Sequence, residues 1–130
     1  MFKSTITPSI SDLNKGHHIK HSRITVWLEE GYDQIQKLFH GKSNEPSLII
    51  ANLNIDFLDE LFSEKDVEII TGVKKIGVSS FILHQELRQG GKLCVRALTT
   101  IVHFDYSKRK SVPIPPQSLE ILKKHILTES

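Results

Sequence analysis

In only one long stretch of this chain, Ser22 to His40, do apolar residues recur at helical spacing, and almost everything after it alternates. Ile24, Leu28, Ile35, Leu38 and Phe39 form the helical stripe, with Gly31 on the same face. A glycine inside a helix costs about 1 kcal/mol relative to alanine, so Gly31 marks a place of close backbone approach. Lys37 and His40 suit the negative end of the helix dipole, and Gly41 is a natural stop.

The alternating runs are strands. A first one, Phe2 to Ile10, contains Pro8 and is therefore expected at an edge or interrupted. In "SLIIANLNIDFL", Ile49, Ala51, Leu53, Ile55 and Phe57 fall on one face, with Asn52, Asn54 and Asp56 on the other. "DVEIITGVKKIGVSSFILHQEL" gives two further runs broken near "KKIGVSS". Gly90-Gly91 supplies the positive φ of a tight hairpin. A long β-branched strand, Leu93 to Tyr106, follows, then a basic, proline-rich exit and a short helix, about Pro116 to Leu127. Short connections imply an antiparallel meander with the helix on one face, an α+β arrangement. Its long exposed edges favour pairing with a second copy.

The chain of 130 residues is expected to form a single domain, residues 1–130. A net charge of +2 gives no sign of wholesale nucleic-acid binding. Cys94 is the one cysteine, so no internal disulfide forms. No apolar run approaches bilayer length, and "MFKSTITPSISD" has no continuous apolar core of signal-peptide type. A soluble, cytoplasmic protein with no membrane partner is the expectation.

The chemistry gathers just before the long helix, in "SDLNKGHHIKHSRITVWLEEG". Free main-chain N–H groups and the dipole at a helix start suit a developing oxyanion, and Gly16 lets the backbone come close to a ligand. Asp12, His18, His21 and Glu29 are candidate bases; imidazole in particular ordinarily changes charge near neutral pH. Asn14 can orient water or donate to an oxygen, or else serve as a turn residue bonded to its own backbone. His17 and His21 share an i, i+4 spacing, but no third ligand is nearby, so no metal site is expected. Glu29 and Glu30 also read as a solvated helix face, and the loop histidines as polar loop residues.

These features resemble the hot-dog-fold acyl-CoA thioesterases, in particular the 4-hydroxybenzoyl-CoA thioesterase-like group. The likeness lies in "DLNKGHHIKH", "WLEEG", "NIDFL", "KKIGVSSF", "HFD" and "PIP", taken in order. The resemblance implies a curved antiparallel sheet wrapped around one long central helix. It implies a homodimer or homotetramer whose interface holds an acyl thioester of coenzyme A or of an acyl carrier protein, with no separate cofactor. His18 matches the family's loop histidine, His21 a position held by histidine in some members, and Glu29 the helix glutamate. Asn14 stands where the family's usual catalytic acid stands. Lys74 and Lys75, with the hydroxyls of Ser79 and Ser80, match a region near the nucleotide in some members; "KRK", Lys108 to Lys110, is a second basic spot. Two functions follow: a hydrolase with His18 or His21 as base and Asn14 placing water or the carbonyl, or a silent acyl-thioester-binding module. A dehydratase of related fold would need a histidine paired with an acid across the interface, a pattern not visible here.

Overall fold

The computed structural model describes residues 2–16, 18–37 and 47–126. Strand β1 (Phe2–Ile6) leads through a 3-10 turn at Ile10–Asp12 to helix α1 (His21–Gln36). Four long strands follow, β2 (Ser47–Phe57), β3 (Val67–Ile76), β4 (Ser80–Gln89) and β5 (Lys92–Asp105), then the short β6 (Lys110–Ser111) and helix α2 (Pro116–Lys123). The sheet is antiparallel, in the order β1-β3-β4-β5-β2, with β6 pairing β5. β1 and β2 are the long edges, and α1 passes between them over one face.

Buried residues alternate along β4 (Phe81, Leu83, Gln85, Leu87, Gln89) and along β5 (Val95, Ala97, Thr99, Ile101, His103), which fixes the face that meets the helix. The first half of α1 packs Ile24, Trp27 and Leu28 onto Val67, Ile69, Leu87 and Val95. Its last turn packs Ile35 with Val73, Phe81, Leu83 and Ile101, joined by Leu122 of α2. Each such fully buried aliphatic side chain contributes about 1.5–3 kcal/mol.

At 16 residues, α1 is shorter than the long central rod expected. It begins at His21 and closes at Gln36 with Lys37 as its C-cap; Leu38, Phe39, His40 and Gly41 lie outside the described residues. The close approach at Gly31 is to side chains of the sheet, not to another backbone. A Cβ there would overlap the Thr71 hydroxyl and fall 2.6 Å from Gln85 Nε2. That same Nε2 donates to Leu28 O of α1 at 2.7 Å and to Thr71 Oγ1 at 3.1 Å, so one buried amide ties helix to sheet. Gly90 and Gly91 adopt φ of 60° and 80°, as a tight hairpin between β4 and β5 requires.

β2 departs from the expected alternation. Its pairing with β5 shifts register between Ile50 and Asn52, a bulge at Ala51. Residues directly opposite on paired strands share a face, so Leu48, Ile50, Leu53, Ile55 and Phe57 look toward the helix side, whereas Ile49 and Ala51 do not. Ile50, Leu53 and Phe57 nevertheless stay 45–48% exposed, and Leu58, which follows Phe57, is exposed too.

Candidate active site

The loop before α1 is built by its own short side chains. Asn14 N donates to His18 O at 2.9 Å, and Asn14 Oδ1 accepts from Gly16 N at 2.9 Å and His18 N at 3.2 Å. The amide oxygen is thus committed to the turn, and the Asn14 NH2 is the part left to meet a ligand. Asp12 is also committed: its carboxylate, 4% exposed, accepts from Ser9 N at 2.8 Å and from Arg23 Nε at 2.7 Å. Burial pushes the Asp12 carboxyl up, but the Ser9 amide, the Arg23 guanidinium and the Ser9 hydroxyl outweigh it and hold it below the ordinary value. Asp12 is therefore an anchor for the helix start.

A second segment, Leu58–Phe62 after β2, closes on this loop. Leu58 N and Asp59 N both donate to Cys94 O at the start of β5, and Ile19 N donates to Leu61 O at 3.2 Å. His18 and Phe62 form an antiparallel bridge. Gln89 at the end of β4 clasps the same connection. Its Oε1 accepts from Phe62 N at 2.8 Å, while its Nε2 donates to Phe62 O at 2.6 Å and Lys65 O at 2.9 Å.

Between the two segments lies a cavity of about 520 Å3, walled by Asn14, His18, His21, Phe57, Glu60 and Leu61 among others. The His21 ring stacks on Phe57 with centroids 4.4 Å apart, and the His18 ring leans against Phe62 at 5.3 Å. α1 begins at this cavity, and its N-cap residue, Lys20, makes no side-chain capping bond. The first main-chain N–H groups of a helix have no intrahelical acceptor, so the mouth of α1 presents donors beside an apolar wall.

The remaining candidates sit elsewhere in the chain. Glu29, two turns along α1, borders a separate recess of about 60 Å3 with Tyr32, Ile50 and Leu53. Lys74, Lys75, Ser79 and Ser80 lie where β3 passes into β4, at the opposite end of the strands from the cavity. A register shift between Val73 and Lys75 leaves both Lys74 and Lys75 exposed. His17 lies outside the described residues, and no group of three or more His, Cys, Asp or Glu among the described residues is arranged to hold a metal ion. No helix of the described residues is long and apolar enough to cross a membrane. Phe57, Glu60 and Phe62 join the site only through the fold, which brings the end of β2 back against the first loop.

The antiparallel sheet with its helix α1 laid over one face is the arrangement of the hot-dog thioesterases. The chain belongs to the thioesterase-like superfamily, whose family model matches residues 8–122. Among solved structures it is similar to a predicted thioesterase from Bacillus stearothermophilus, with 27% identity, a TM-score of 0.91 and coverage of 99% of this chain and 98% of that one. A 1,4-dihydroxy-2-naphthoyl-CoA thioesterase from Synechocystis shares the fold at 16% identity and a TM-score of 0.80, covering 94% and 95% of the two chains. So does a thioesterase from Thermus thermophilus complexed with coenzyme A and Zn, at 15% identity and a TM-score of 0.79, covering 94% and 91%. No curated protein sequence matches the chain.

Proposed function

We propose that this protein hydrolyses an acyl thioester of coenzyme A, or of an acyl carrier protein, in the cavity at the mouth of α1. The observation that carries the reading is the meeting of donors and a base at one cleft: Asn14, His18 and His21 line the same 520 Å3 space beside an uncapped helix start. The thioester carbonyl oxygen is received by main-chain N–H groups of the first turn, with the Asn14 NH2 beside it. His18 takes a proton from water as the water oxygen bonds to the carbonyl carbon. The tetrahedral intermediate collapses with cleavage of the C–S bond. The thiolate leaves with the proton returned by His18, and the acid product remains. His21, its ring stacked on Phe57, walls the acyl group.

A second copy completes the site. The apolar, exposed inner side of β2 (Ile50, Leu53, Phe57) supports edge-to-edge pairing. Antiparallel pairing of two β2 strands about a two-fold axis sets the cavity end of one chain beside the β3–β4 end of the other. Lys74, Lys75, Ser79 and Ser80 of that second copy would then meet the coenzyme A phosphates, and the open recess at Glu29 would be roofed by the same interface. A dimer of dimers built on this unit is the larger assembly we consider.

One observation favours a silent binding module instead: Asn14 Oδ1 is spent on Gly16 and His18, and an amide cannot take a proton. A panel of acyl-CoA esters of graded length, with a thiol reagent reporting released coenzyme A, separates the two. Release that vanishes in His18→Ala supports hydrolysis; binding without release across the panel overturns it. Asn14→Asp keeps the acceptor of the turn but trades the NH2 donor for a carboxylate: slower turnover is expected if the NH2 serves the carbonyl oxygen, and faster turnover would mean that an acid at this position is the better base.

A further inference from the structure

We propose that Glu60 is the positioning residue for His18: its carboxylate holds the imidazole proton on Nδ1 and leaves Nε2 as the basic nitrogen. The inference deepens the hydrolase reading and rests on it. His18 Nδ1 is shut off from solvent and lies 3.4 Å from Glu60 Oε2, without hydrogen-bond geometry. A buried ring nitrogen with no partner is costly, and among the described residues the group facing it is this carboxylate. Such contacts are often long in the free enzyme and tighten when substrate is bound.

The backbone imposes the meeting. His18 bridges Phe62 and Ile19 N bonds Leu61 O, which ties the carboxylate-bearing turn to the loop, and Glu60 N donates to Asp59 Oδ1 at 2.8 Å within the turn. Of the two acids at this turn, Asp59 is engaged by Lys92 and by the main-chain N–H of Glu60. Glu60 is the one left to serve the ring. Its role also answers the amide at Asn14: the negative charge that the site needs when His18 becomes imidazolium comes from across the cleft. The proton count is simple. Water gives its proton to Nε2, the Nδ1 proton stays in place between ring and carboxylate, and the Nε2 proton leaves with the thiolate.

The test uses the full chain labelled with 15N-histidine, with the His18 signals assigned by their loss in His18→Ala. At a pH where the ring is neutral, the wild type is expected in the Nδ1–H form and Glu60→Ala in the Nε2–H form. The same tautomer in both overturns the proposal. In the rate arm, Glu60→Ala is expected to lower kcat about 10-fold with KM within about twofold, and Glu60→Asp to recover part of the loss. An unchanged kcat in Glu60→Ala also overturns it. Should the wild type release no coenzyme A from any ester, the hydrolase reading fails, and the tautomer comparison still decides the pairing. Glu60 is 62% exposed at its side chain, so both variants are expected to fold; thermal unfolding checks this.

Discussion

Arg23, in the first turn of α1, donates to the buried Asp12 carboxylate at 2.7 Å and so fixes the helix start to the loop that carries Asn14 and His18. Because the folded-state pKa of Asp12 lies below its ordinary value of 3.8, the ionised pair contributes stability above that value and loses it as pH falls through the folded pKa. Asp12→Asn is expected to cost about 1–3 kcal/mol at neutral pH by urea unfolding, a range kept modest because Arg23 is partly exposed. The gap between variant and wild type should close below about pH 4. A gap that stays constant into acid would remove the charge argument.

Gly31→Ala sets two effects against each other. Helix propensity gains about 1 kcal/mol. The new methyl overlaps Thr71 Oγ1 and crowds Gln85 Nε2, in a core where overpacking costs about 1–3 kcal/mol and more when a hydrogen bond is broken. The second effect wins, and a net loss of about 2 kcal/mol is expected in denaturant melts. A stabilised variant would mean that the Gln85 bridge to Leu28 O yields easily.

Charge on the exposed inner side of β2 tests the second copy. Leu53→Glu and Ile50→Lys change residues 45% and 46% exposed in the single chain, so the fold itself should tolerate them. Sedimentation is expected to show a dimer for wild type and a monomer for the variants, with thioester turnover reduced by about 10-fold or more. A monomeric wild type with full activity would end the shared-site reading.

Lys74→Ala with Lys75→Ala probes the phosphate contact. Loss of charge-assisted bonds to phosphate should raise KM for an acyl-CoA about 10-fold. KM for the matching acyl-pantetheine, which lacks the nucleotide, should not move. Equal changes with both substrates would point to a general disturbance of the β3–β4 turn.

Local physics made parts of this molecule readable in advance. Gly90-Gly91 declared a hairpin because a tight turn needs positive φ at adjacent positions. Gly31 declared a close contact, though not which group makes it, since Thr71 and Gln85 are distant in sequence. Ile49 and Ala51 leave the face that strict alternation assigns them, because a bulge inserts one unpaired residue and composition does not announce it. The loop candidates Asn14, His18 and His21 do line one cavity. Asn14 also carries the turn, the plainer role that its residue type allows. Glu60 was out of reach, because its encounter with His18 depends on strand pairing that brings the end of β2 back to the first loop.

The three hydrogen bonds of Gln89 carry a consequence for how the cleft can be altered. A single amide acts as the buckle for the strap from Phe62 to Lys65, gripping main chain at both ends. An extra residue inside that strap would carry one carbonyl out of the buckle's reach and loosen the neighbouring wall. A change of side chain alone would leave it fastened. Remodelling the space for bulkier or slimmer acyl groups should therefore proceed by exchanging Phe57, Leu58 or Leu61 at fixed loop length, with Gln89 left untouched.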